Sequence, residues 1–247
     1  MQGSEAKRWS YLVAVAIIMF LWHLLSLAVD SPALPAPPEV LKALVTQFLE
    51  ESLLEHFLVS SYRVIYAIAL ALSLAVPVGL LSHERGVDKL VTPFLYLLYP
   101  IPHIVLLPLI IILFGIGDAS KIVLIALIIF FQILVTTRDA SRNVSQYYVY
   151  SLLSLGAGKK DVYRHVIFPA SLPKILTALR ISIGTSIAIL FFAESFATVR
   201  GLGYIIMDSW SRADYPGLYA GIVSMAILGF TLYVILEAIE KRVCRWV

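Results

Sequence analysis

Two ionisable residues stand among apolar neighbours, Arg63 and Glu194. Glu194 lies in Phe191-Phe192-Ala193-Glu194-Ser195-Phe196, where a carboxylate is costly unless it is paired or serves a solute path. It is expected to face protein rather than lipid, bonded to backbone or an arginine, or touching a transported solute. Arg63 is expected to snorkel outward. The densest group of reactive side chains lies elsewhere, in Gly156-Ala157-Gly158-Lys159-Lys160-Asp161-Val162-Tyr163-Arg164-His165-Val166-Ile167-Phe168-Pro169. Its glycines and lysines look superficially like a phosphate loop, but the GxxxxGK[ST] spacing is missing and no buried strand precedes it. If nucleotide energy drives this protein, another chain must bind the nucleotide. G-x-S-x-G and H-E-x-x-H are absent. His23, His56, His83, His103 and His165 include no pair at helical spacing, and the single Cys244 excludes an intrachain disulfide or a cysteine-based metal site. Neither a catalytic nor a metal residue is expected.

These groups must be positioned by a membrane protein. Of 247 residues, 60% are hydrophobic and 14% charged, whereas soluble domains are about 45–50% apolar. Six apolar runs, at about 11–29, 60–81, 90–114, 121–137, 175–195 and 218–238, approach or exceed the roughly 18 residues of a spanning helix. None alternates as a barrel strand would, so an all-α polytopic domain over 1–247 is expected. The first run resembles a signal sequence but is longer than an h-region and ends in Leu27-Ala28-Val29-Asp30, so it reads as a retained span. The net charge of +3 gives no ground for nucleic-acid binding. Most of the basic residues fall on one side if the N-terminus is inside: Lys7, Arg8, Arg85, Lys89, Arg138, Arg142, Lys159, Lys160, Arg164, Lys174, Arg180, Lys241, Arg242 and Arg245. The positive-inside rule then puts both termini in the cytoplasm.

Local signals refine this layout. After the prolines at 32, 35, 37 and 38, residues 39–50 read as a helix whose Val40, Leu41, Leu44, Val45 and Phe48 share a face. In Tyr99-Pro100-Ile101-Pro102 two prolines remove backbone donors and break or kink the third span. Such a break is tolerated only against protein or a water-filled cavity. Tyr99, Pro100 and Pro102 therefore join Arg63 and Glu194 as expected residues of a translocation path, with a purely structural kink as the alternative. Gly201-Leu202-Gly203 reads as a tight turn before a short helix at 203–210. Residues 143–155 are expected to continue as helix until Gly156 and Gly158 end it. A second short helix at 159–167 should follow, limited by Pro169 and Pro173. There Asp161 and His165, and Lys160 and Arg164, are four apart, while Val162, Tyr163 and Val166 form an apolar side. A short charged helix of this kind suits a groove on a soluble partner. A helix lying on the membrane surface is the alternative.

At this segment, 145–169, the chain resembles the membrane subunit of a type I ABC importer. The family's signature, EAA–x3–G–x9–I–x–L–P, aligns with Gly156, Val166, Phe168 and Pro169, although Tyr150-Ser151-Leu152 replaces the EAA triplet. The segments 34–40, 98–102, 107–109, 114–117, 193–194 and 201–204 are similar to permeases of the nitrate/sulfonate/taurine group. The resemblance implies a six-span inner-membrane permease without catalytic residues. It implies a second permease copy, two cytoplasmic ATPase subunits holding ATP and magnesium, and an extracytoplasmic binding protein. Gly156, Gly158, Lys159, Lys160, Asp161, Val162, Tyr163, Arg164, His165 and Pro169 would form the coupling helix seated in the ATPase. It implies uptake of a nitrate-, sulfonate-, taurine- or vitamin-precursor-type solute by alternating access. A stand-alone secondary transporter using Glu194 as its ion site is the alternative reading.

Overall fold

The computed structural model describes residues 2–50 and 52–246, which form helices and connecting turns without strands. The helices are α1 (Gln2–Val29), α2 (Pro37–Leu49), α3 (Ser52–Leu81), α4 (Arg85–Leu98), α5 (Leu107–Phe114), α6 (Asp118–Arg142), α7 (Gln146–Ser154), α8 (Lys159–Val162), α9 (Phe168–Glu194), α10 (Leu202–Ser211) and α11 (Tyr215–Val243). Among the described residues, four helical stretches are long and apolar enough to cross a membrane: Leu53–Leu81, Asp118–Arg142, Lys159–Glu194 and Tyr215–Val243. The pair Arg85–Leu98 and His103–Phe114 passes that test together, as a span bent by 80°. In α1 the apolar stretch within the described residues is Val13–Val29.

The centre of the bundle is the pairing of α3 with α6. Ala67, Ala71, Ala75 and Gly79 recur every fourth residue on α3, and all three alanines are buried. Small side chains at that spacing let two backbones approach, which is how helices associate where lipid removes the hydrophobic drive. At Gly79 a Cβ would lie 2.6 Å from Thr137 Cβ. Arg63 of α3 bonds Asp118 at the start of α6, and Ser141 near the end of α6 donates to Gly79 O, so α3 and α6 run in the same direction. The bent span returns the chain between them. Glu194 at the end of α9 meets the Arg63 end, so α9 runs opposite to both.

The bend has a chemical cause. Pro100 and Pro102 lack N–H groups and disfavour helical backbone at the residues before them. Helix α4 stops at Leu98, and the chain resumes through a 3₁₀ turn at His103–Leu106. At its other end α4 is fastened by Asp88, which is buried and accepts from Arg138 Nε at 2.6 Å and from Arg142.

Helix α2 packs on the bundle through Val40, Leu44 and Phe48, while Leu41 and Val45 are exposed. Helix α1 is peripheral. It touches the rest through Trp22, whose ring meets that of Tyr219, and Ser26, which donates to Leu34 O at 2.9 Å.

Two expectations are corrected. Residues 143–155 do not continue α6, which ends at Arg142 before a turn leads into α7. Pro169 does not close the polar segment either. A π-turn at Tyr163–Ile167 joins α8 directly to α9, giving one helical rod from Lys159 to Glu194. Pro169 falls in the first turn of α9, where a missing N–H is tolerated, and the wider π-turn supplies the change of register.

Candidate functional site

Among the described residues, three groups of polar side chains bear on function. The first is an ionic cluster closed around Arg63 and Glu194, with Asp118 half-exposed at its edge. Arg63 is 2% exposed, lying three turns into α3 rather than opening a span, so it does not snorkel outward. Its Nη1 donates to Glu194 Oε1 at 2.8 Å and to Arg200 O at 2.9 Å, and its Nη2 donates to Asp118 at 2.6 Å. Glu194 is fully buried and also accepts from Ser60 Oγ and, at 2.9 Å, from Gly203 N. Lys121 is fully buried as well, donating to Ala197 O at 2.8 Å. A buried ion pair is tolerated when its remaining lone pairs and protons are satisfied in this way.

The loop after α9 is pinned by the same atoms. Leu202 N donates to Ser60 Oγ and Gly201 N to His56 Nδ1. The glycines at this turn are required by contact with Glu194. Gly201 has φ +115° and a Cβ there would fall 2.3 Å from Glu194 Cδ, while one on Gly203 would fall 2.6 Å from Glu194 Cβ. The turn expected at 201–203 and the short helix after it are present, as Gly201 and α10.

The second place is an open cleft of about 420 Å³ at the break of the bent span. Tyr99, Pro100 and Pro102 line it together with His103, Phe131 and Gln132. The five residues assigned to a solute path therefore divide. Tyr99, Pro100 and Pro102 share this cleft, whereas Arg63 and Glu194 belong to the closed cluster.

The third is the segment from α7 to the π-turn, at the opposite end of α3 and α6 from the ionic cluster. Helix α7 ends in a Schellman motif: Ala157 N bonds Leu152 O, Gly156 N bonds Leu153 O, and Gly156 takes φ +85°. The Asp161 carboxylate then accepts from Gly158 N at 3.0 Å and caps α8. Asp161 is thus a cap for the turn and not a partner of His165. Val162 and Ile167 are buried against Val149, which fixes the segment to its own bundle. Its other side is open: Tyr147, Tyr148, Tyr150 and Leu155 are each more than 60% exposed, and Gly158, Lys159, Lys160, Arg164 and His165 are exposed. Tyr163 packs edge-on against His83. Lys159 reaches Glu84 at 3.3 Å across the surface.

Sequence reasoning missed Ser60, Asp118 and Lys121 as partners of the buried pair, and Gln132 in the cleft. Gln132 did leave a signal, as the only amide in the apolar run 122–135.

Residues 67–245 match the family described as binding-protein-dependent transport system inner membrane component. The chain is 34% identical over 232 residues to the taurine transport system permease protein TauC of Escherichia coli K12, covering 91% of this chain and 84% of that one. It is 29% identical over 246 residues to a putative aliphatic sulfonates transport permease, SsuC, of Bacillus subtilis, covering 97% and 89%. It is 28% identical over 234 residues to the formylaminopyrimidine transport permease ThiX of Halalkalibacterium halodurans, covering 93% and 92%. A chain of the inward-facing MetNI methionine ABC transporter superposes with a TM-score of 0.67 at 19% identity, over 77% of this chain and 95% of that one, and so shares the fold. A helical bundle with membrane-length apolar helices, matched over most of its length by transport permeases, identifies the chain as a member of the binding-protein-dependent transport system inner membrane component family.

Proposed function

We propose that the chain is the permease subunit of an ATP-driven importer that brings a small organic solute into the cytoplasm by alternating access. Relatives named for taurine, aliphatic sulfonates and a formylaminopyrimidine support a small organic solute. In this reading α1, α3, the bent span, the rod 159–194, α6 and α11 are the six crossings, and both termini lie inside. Two copies form the path, an external binding protein delivers the solute, and two separate ATPase subunits hold ATP and magnesium.

The observation that carries the proposal is the segment from α7 to the π-turn. Its buried side ties it to the bundle, and its exposed tyrosines, Leu155 and cations offer a preformed surface to a soluble partner. Membrane proteins that carry no nucleotide site need such a contact to receive work from one that does. Gly156 supplies the turn between the two helices, and Lys159, Lys160 and Arg164 supply charge for the docking face. The test is reconstitution with the cognate ATPase and binding protein. Charge reversal at Lys159 and Lys160, or Gly156→Val, should leave ATP hydrolysis no longer linked to uptake. Normal linked uptake with both changes would sink the reading.

The rival, a stand-alone carrier using Glu194, is opposed by the bonding of that carboxylate. Arg63, Ser60 and Gly203 N take up both its oxygens and leave no open coordination for a travelling ion. Uptake by the purified chain alone under an ion gradient would restore it.

A further inference from the structure

The cleft at the broken span has a chemistry of its own. Gln132 lies about 21 Å along α6 from Asp118, close to mid-membrane depth. Polar side chains at that depth are costly and mark solute paths by default. Gln132 is held in one orientation: Ser182 Oγ donates to its Oε1 at 3.2 Å, and its Nε2 donates to Thr185 Oγ1 at 3.3 Å. An amide carries two N–H donors, so one stays unused by these partners. Beside it stands an aromatic wall. The His103 ring stacks on Phe131 with centroids 4.8 Å apart and 29° between planes, and Tyr99 meets Phe131 at 6.4 Å. His103 is 8% exposed. Ile101, Ile104, Ile128 and Ile189 complete the lining, and none of the lining residues is Lys, Arg, Asp or Glu. Arg63 and Lys121, the buried cations of the outer cluster, are already engaged.

We infer that this cleft is a binding site for a planar, uncharged heteroaromatic ring, held against the aromatic wall of Tyr99 and the stacked Phe131–His103 pair, with Gln132 donating to a ring nitrogen. This rests on the proposed role as a solute permease and narrows its cargo. A sulfonate entering the cleft would shed water and meet no cation, at a cost that neutral donors offset poorly. A flat ring gives up little hydration and gains contact with the aromatic wall of the cleft. The 80° bend makes the room, since an unbroken helix would place backbone where the cleft is.

The test uses the full permease with its ATPase in proteoliposomes. In a Cys244→Ser background, Ile128→Cys places one thiol in the cleft, and the rate of maleimide labelling is followed with 4-aminopyrimidine or taurine present. The ring compound should slow labelling about fivefold or more, taurine at equal concentration should leave it unchanged, and Phe131→Ala should weaken the protection about tenfold. Gln132→Met, which keeps the side-chain volume, provides a second variant where Phe131→Ala disturbs folding, and should also weaken it. Equal protection by taurine, no protection by 4-aminopyrimidine, or protection surviving both variants would overturn the inference. In the same vesicles, permease-dependent ATP hydrolysis unaffected by Gly156→Val would count against the importer reading instead, so the two failures are distinguishable.

Discussion

Two groups of charges, at opposite ends of α3 and α6, are treated in opposite ways. At one end Arg63, Glu194 and Lys121 are buried, and protein atoms satisfy them. At the other, Lys159, Lys160, Arg164 and His165 are exposed, with a single long contact from Lys159 to Glu84. The first arrangement fixes geometry, because removing any member strands the others in a low-dielectric interior. The second contributes little to the fold and leaves charge free to meet another molecule. The buried group therefore belongs to the frame of this permease, and the exposed group is the one open to another molecule.

The contrast can be broken most forcefully at the buried end. Glu194→Met takes from Arg63 its buried carboxylate partner, leaving only the half-exposed Asp118, and should cost about 3–5 kcal/mol, read as a large loss of thermal stability in detergent. Arg63→Met should do the same, and the double variant should be less unstable than the sum of the two. Additive losses would show that the pair is not a unit. Next in size is Gly79→Ala, which forces a methyl into Thr137 and should cost about 1–3 kcal/mol. Gly184→Ala, where nothing lies within 4 Å, serves as the control and should be neutral or mildly stabilising. At the exposed end Gly156→Ala has open space but a left-handed backbone, so it should cost only about 1–2 kcal/mol of stability. Its loss of ATP coupling should be out of proportion to that figure. Smallest of all is Lys159→Ala, worth about 0–1 kcal/mol, since surface ion pairs are weak. A stability loss there as large as at Glu194 would erase the distinction between the ends.

Sequence reading was strongest where composition and local geometry decide. The apolar runs, the break at Pro100 and Pro102, the turn at Gly201 and the glycine end of α7 all have local causes. It was weaker where long-range pairing decides. Arg63 lies at the edge of an apolar run and reads as a snorkelling residue. Its burial is explained by Asp118, 55 positions on, Glu194, 131 positions on, and the carbonyl of Arg200, 137 positions on. The stripe Ala67, Ala71, Ala75 and Gly79 was present in the sequence at four-residue spacing, but its partner face on α6 carries no matching pattern. Pro169 misled for another reason. Proline ends helices as a rule, and the π-turn that precedes this one lies between Val162 and Phe168, beside long-range packing of Val162 and Ile167 on Val149 that no local signal gives.

That π-turn has a mechanical meaning. With it, the contact segment and the helix ending in Glu194 form a single strut of 36 residues, about 54 Å long. A flexible joint at Pro169 would absorb a push at the Lys159 end. A strut would pass it on, so under the proposed docking role a small rotation at the Lys159 end would be delivered at the Arg63–Glu194 anchorage as a displacement set by lever length.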